Sequence, residues 1–233
     1  MDDIQAFTGF PKEGLGFLAE LKENNYREWF NERKNDYQNL LVKPAQSFVV
    51  ALGERLTSIS EDMVYDTRTN GSGSILRIHR DIRFSKDKSP YNTRLRVRFW
   101  EGPGKKKERP GFFVGMDENG GGIHGGLWMF PKPLLEKYRR SVVDDDSGTK
   151  LVKAVDNVRS LKGYSIGGAH YKKVPRGFDA DHPRAELLRF NGLYVSSPKI
   201  PVSVLRKPEL VDVCFEHILK MAPIHEWLVQ LMA

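Results

Sequence analysis

Thr93-Arg94-Leu95-Arg96-Val97-Arg98-Phe99 alternates polar and apolar residues without a break, the period-2 pattern of a strand with one wet and one buried face. Arg94, Arg96 and Arg98 then stand in a row about 7 Å apart, opposite Leu95, Val97 and Phe99. Comparable runs flank it: residues 63–67 and 75–82 before, 111–117 and 123–130 after, with 193–195 and 200–205 as shorter additions. Gly, Pro, Asn and charged residues separate the central runs at hairpin distances, which predicts an antiparallel sheet.

Outside this block the apolar period changes to three and four. Leu15, Leu18 and Leu21, then Tyr26, Trp29, Phe30, Tyr37, Leu40 and Leu41, then Phe48, Val49, Leu52 and Leu56 predict helices in the first quarter. Asn25 with Glu28 three residues on resembles a capping box, and Pro44 suits the first turn of the third helix. Leu134, Leu135, Tyr138 and Val142, then Leu151, Val152, Val155 and Val158, predict two more, joined by Asp144-Asp145-Asp146. Residues 209–221 and 224–232 close the chain as helices. The reading is an α+β fold: a mainly antiparallel sheet from the middle of the chain, packed by N-terminal and C-terminal helices, in one domain over residues 1–233.

With 233 residues, 39% of them hydrophobic, the chain has material for a substantial core, which excludes global disorder. The start, Met1-Asp2-Asp3-Ile4-Gln5, is acidic and no apolar leader follows; no run reaches the roughly 18 apolar residues of a membrane span. A cytoplasmic protein without a membrane partner is expected. The single cysteine, Cys214, fits a reducing compartment and, beside Val211, Phe215 and Ile218, reads as a small buried apolar residue.

Residues 77–109 hold 12 Lys or Arg against 4 Asp or Glu, so this segment carries +8 while the whole chain carries +7. A basic surface made of one contiguous segment focuses potential and attracts anions. Within it, Arg77, His79, Asp81 and Arg83 fall on one strand face and Ile78, Arg80 and Ile82 on the other. Arg80 breaks the apolar face, so it is either paired to an acid such as Asp81 or Asp87 or aimed into a cleft. The connection Ser85-Lys86-Asp87-Lys88-Ser89-Pro90-Tyr91-Asn92 offers hydroxyls, ammonium groups and free N–H groups suited to an anion. The row Arg94, Arg96, Arg98 reads first as the solvated face of a half-buried sheet.

Arg77, Arg80, Asp81, Arg83, Phe84, Lys88, Pro90 and Tyr91 fit R-x-x-R-D-x-R-F-x-x-x-K-x-P-Y at every defined position. This resembles the signature of the domain of unknown function 2461 family, chains of roughly this length found mainly in bacteria. The similarity extends to Gly9-Phe10-Pro11, Asn24-Asn25 with Arg27-Glu28-Trp29-Phe30, and Pro175-Arg176-Gly177-Phe178 with Asp181-His182-Pro183. The resemblance implies that residues 77–91 are the hallmark and implies no activity.

Other patterns point to structure. Gly120, Gly122 and Gly125 spell G-x-G-x-x-G, but a turn precedes them and a strand-like run follows, so they read as a hairpin and not a dinucleotide site. Asp181 before His182-Pro183 reads as a helix cap in preference to a metal ligand. Lys105-Lys106-Lys107 reads as a solvated hairpin tip that could also grip phosphates. No nucleophile elbow, Walker loop or metal-binding histidine pair occurs, and no cofactor or metal is expected.

The leading expectation is a site for a phosphate- or carboxylate-bearing small molecule, with Arg77, Arg80, Arg83 and Lys88 as ligand-binding cations oriented by Asp81, and Tyr91, held by Pro90, at the rim. His79, with Asp81 on the same strand face as its orienting acid, is the candidate for proton transfer near neutral pH, and His124 and His170 are the histidines that could join it in space. The alternative is nucleic-acid binding, with Arg94, Arg96, Arg98 and Lys105–Lys107 tracking the backbone and an exposed Trp100 stacking on bases. A third reading makes the motif a structural ion network in a partner-binding protein.

Overall fold

Apolar residues at helical spacing do form helices in the first quarter of the chain, as seen in a computed structural model that describes residues 4–233; the acidic start lies outside the described residues. Helices α1 (Lys12–Glu23), α2 (Arg27–Glu32) and α3 (Lys34–Tyr37) lead through a π-helical turn, Gln38–Val42, into α4 (Lys43–Leu56), whose first turn contains Pro44. Strands β1 (Met63–Val64), β2 (Leu95–Glu101), β3 (Gly111–Asp117) and β4 (Gly120–Leu127) follow. Then come α5 (Lys132–Val143), α6 (Asp145–Arg159), β5 (Ser165–Ala169), α7 (Ala185–Leu188), β6 (Phe190–Ser196), α8 (Val202–Leu205) and α9 (Leu210–Met232). The six strands form one antiparallel sheet in the order β1-β2-β3-β4-β6-β5, so the fold is α+β. No described helix is long and apolar enough to cross a membrane.

The chain divides into two units. The first comprises Met1–Phe99, Phe113–Gly122 and Lys199–Glu216. Its core gathers Phe10, Leu18, Leu21, Leu41, Phe48, Leu52 and Leu56 with Leu95, Val97 and Phe99, all buried. Gly9 has φ of +105°, and a Cβ there would collide with the backbone of Arg206 and Lys207, which explains why glycine opens Gly9-Phe10-Pro11. Phe10 N then donates to Leu205 O at 2.9 Å.

The second unit comprises Trp100–Phe112, Ile123–Pro198 and His217–Ala233. Asp144 caps α6, its carboxylate accepting from Ser147 N at 2.8 Å, so the three-aspartate junction is a helix start. Tyr138 is fully buried and satisfies its hydroxyl by donating to Leu187 O at 3.0 Å. Gly126, at φ +129°, sits where a Cβ would strike Leu193 O, and this lets β4 lie against β6 in the register Gly126↔Tyr194 and His124↔Ser196.

Several expected elements differ. Residues 200–205 form no strand: Ile200 bridges Gly121 once, and Pro201, with φ preset, precedes α8. The helices expected at 209–221 and 224–232 are one helix with Pro223 inside. Proline removes the donor to Leu219 O, and Leu219 is half exposed; buried Ile218, Met221, Ile224 and Leu228 hold both halves. Strand β5 forms where no strand is expected, since Ser165-Ile166-Gly167-Gly168-Ala169 carries no alternation.

Candidate functional site

The motif lies on an irregular hairpin of the first unit. Leu76 N donates to Arg96 O at 2.9 Å, Asn92 N to Ile78 O at 2.7 Å and Arg80 N to Pro90 O at 2.8 Å. Ile75↔Val97 and His79↔Tyr91 are isolated bridges, so the strand expected at 75–82 is an interrupted arm. Pro90 has no N–H to return to the ladder, which interrupts the pairing, and the Asn92 side chain joins its own backbone N–H on Ile78 O at 2.8 Å. The alternation survives at its start: Ile78 is buried, Arg77 and His79 exposed.

The cations of the motif hold the hairpin itself. Arg77 donates through Nε and Nη2 to Asn70 O at 3.0 and 2.6 Å. Arg80, the residue that breaks the apolar face, pairs with Asp87 and reaches Ser85 Oγ at 3.4 Å. Arg83 grips Asp81 as a fork, Nε to Oδ1 at 2.9 Å and Nη2 to Oδ2 at 2.7 Å. Lys88 Nζ donates to Ile82 O at 3.0 Å. The Arg83 side chain and backbone N–H hold the Asp81 carboxyl down at about 2. The Ser89 hydroxyl and N–H, then Arg80, hold Asp87 well below the ordinary carboxylate range.

Two expected placements change. Tyr91 is not at a rim: it is 3% exposed, its ring stacked on Phe30 at 4.2 Å, because the apolar period of the hairpin carries it inward. Burial pushes its phenol up, with Arg27 opposing and Glu28 reinforcing. Asp81 does not orient His79; Arg83 occupies its carboxylate, while the exposed His79 ring lies 5.1 Å from that of Tyr91. His124 and His170 belong to the second unit, where His124 Nδ1 meets Ser196 Oγ at 2.8 Å.

The strand row is also engaged. Arg94 pairs with Asp117 at 3.3 Å, and Arg96 Nη2 donates to Arg77 O at 3.0 Å. Arg96 and Arg98 are half-buried, and desolvation lowers both guanidinium pKa values. Trp100, expected as a stacking ring, is 7% exposed, because burial stops alternating at the end of β2. Lys105–Lys107 lie at the β2–β3 connection, with Lys105 paired to Glu108 at 3.5 Å.

Two features of the hairpin have no signal in the sequence. Phe84 is 95% exposed at the tip, with the Arg83 guanidinium 5.9 Å from its ring. Asn25, read as a helix cap, instead clamps Tyr91; the residue before α2 is Tyr26, without a side-chain cap. Asp181 is likewise no cap: α7 starts after Arg184, and Asp181 N donates to Asp179 Oδ1 at 2.9 Å. Cys214 is buried and its thiol pKa is pushed far up.

Fold and site together define an α+β protein that displays a self-braced basic hairpin with a bare aromatic tip. A family model described as "Conserved hypothetical protein (DUF2461)" matches residues 13–227, and the chain belongs to that family. No curated protein gives a significant match.

Proposed function

We propose that the protein binds an anionic ligand, a phosphate- or carboxylate-bearing small molecule, at the tip of the 77–91 hairpin. The observation that carries this is Phe84, an almost fully exposed ring with the Arg83 guanidinium 5.9 Å from its centroid. Asp81 occupies Nε and Nη2 of Arg83, which leaves Nη1 for a ligand oxygen, and Lys86 extends from the same turn. A ligand with an apolar or planar part next to its anionic group meets both halves of this tip. Arg77, Arg80 and Lys88 shape the tip through their bonds to Asn70, Asp87 and Ile82. His79, the one imidazole among residues 77–91, is the candidate for any proton transfer.

A second reading is favoured by a specific observation: Arg77, Arg80, Arg83 and Lys88 all have acceptors within the hairpin region, as a purely structural network requires. Nuclear magnetic resonance titration of labelled protein with phosphorylated and carboxylated metabolites separates the two. Binding predicts shifts concentrated at the amides of residues 81–89 and their loss in Arg83→Ala with unfolding unchanged. An unfolded Arg83→Ala and a wild type that answers no ligand support the network instead.

A further inference from the structure

In the second unit, residues 189–192 at the start of β6 are flanked on both sides by aromatic segments. Phe130 N donates to Asn191 O at 2.7 Å on one side; His170 N and Tyr171 N donate to Arg189 O at 3.0 and 2.9 Å on the other. Adjacent strands lie about 4.8 Å apart, so the backbones of residues 128–130 and 169–171 are separated by roughly 10 Å.

Each segment presents a ring. Trp128 stacks on Tyr194 with centroids 4.3 Å apart and planes at 22°, yet remains 62% exposed, so its outer face is bare. Tyr194 in turn lies over Gly167, where a Cβ would enter its ring. Tyr171 is 39% exposed, with the Arg139 guanidinium 5.0 Å from its centroid.

The chain segments that carry these rings are basic. Residues 123–135, 157–178 and 187–198 contain no Asp or Glu. Lys132, Lys172, Lys173 and Arg176 in them are all exposed. Two exposed rings within a few nucleotides' reach, on segments that carry cations and no acidic residue, match a partner that repeats a planar ring and a phosphate. From this we infer that this edge of the second unit binds single-stranded nucleic acid, with bases stacking on Trp128 and Tyr171 and phosphates meeting Lys132, Lys172, Lys173 and Arg176. The inference is independent of the hairpin, which belongs to the other unit and offers one ring.

Tryptophan fluorescence reports on it directly, because Trp29, Trp100 and Trp227 are buried and Trp128 is the exposed one. Titration of the full chain with a short oligodeoxythymidylate is expected to quench the emission, with affinity falling steeply in salt. Followed by fluorescence anisotropy of a labelled oligonucleotide, Trp128→Ala weakens binding roughly 5- to 150-fold, the loss of one stacked base. Trp128→Phe recovers most of it. Lys172→Ala with Lys173→Ala lowers the log–log salt slope by about 0.7 per lysine. Arg83→Ala and Phe84→Ser leave the affinity unchanged. Inorganic polyphosphate binding as tightly as the oligonucleotide, an unaltered affinity in a folded Trp128→Ala, or loss of binding in the hairpin variants alone would each overturn the inference.

Discussion

Asn25 holds the backbone of Tyr91 at both of its polar atoms, Nδ2 donating to Tyr91 O at 3.0 Å and Oδ1 accepting from Tyr91 N at 3.0 Å. The clamp joins the connection before α2 to the end of the motif, 66 residues away in sequence. It fixes Tyr91 against Phe30 and so sets the root of the hairpin whose tip carries Arg83 and Phe84.

Asn25→Ala removes both bonds and leaves a half-buried N–H and C=O without partners, at about 1–3 kcal/mol. The unfolding midpoint should drop by a few degrees in a chain of this size. Asn25→Asp keeps the acceptor and loses the donor, so its loss is smaller. Equal stability of wild type and Asn25→Ala would show the clamp to be dispensable.

The Asp81 carboxyl gives a pH prediction with a definite sign. Its folded-state value is held at about 2, below the ordinary value of about 3.9. A depressed carboxyl contributes stability that is present above its ordinary range and is lost as pH falls toward 2. Carbon-detected titration should find Asp81 with a midpoint near 2 and Asp87 lower still. Arg83→Gln should return Asp81 toward the ordinary range; a wild-type midpoint already there means that the Arg83 fork does not form.

Glu101 and His225 are both buried in the second unit, with Nε2 and Oε2 3.0 Å apart and the Phe112 ring 4.7 Å from the imidazole. Nδ1 of His225 is buried without a partner, so Nε2 is the nitrogen that Glu101 serves. Breaking a buried pair from one side costs about 3–5 kcal/mol. Glu101→Ala should lower the midpoint by on the order of 10 °C, and Glu101→Gln, which keeps an oxygen acceptor, by clearly less. Matching small losses in both variants would mean that the pair is not a stability element.

Phe84→Ser should leave stability within about 0.5 kcal/mol, since the ring makes so little buried contact, while weakening the hairpin's ligand. Chemical denaturation measures the first part. A loss of several kcal/mol would place Phe84 in a packed environment and remove it as a recognition ring.

Much of the sheet was legible because Leu95, Val97 and Phe99 alternate with arginines, and a period-2 pattern is a direct image of one buried face. The same rule failed at Trp100, where burial on both sides of β2 ends the alternation. Pro223 read as a helix end since local propensity opposes proline, but the packing of Met221 and Ile224 overrides it. The motif's charge density was visible, and so was the need of Arg80 for a partner, met by Asp87. The bare tip was not, because nothing in a sequence distinguishes an exposed Phe84 from a buried one, and the Asn25 clamp depends on a contact across 66 residues.

Thermal unfolding of the wild type and Arg83→Ala against phosphorylated and carboxylated metabolites tests binding at the hairpin tip. A ligand at about 100 times its dissociation constant adds roughly 2.7 kcal/mol, several degrees in a chain of this size. Binding at the hairpin tip predicts a midpoint rise with a small anion in the wild type and none in a folded Arg83→Ala. A rise of equal size in both proteins, or no rise with any anion, would contradict it.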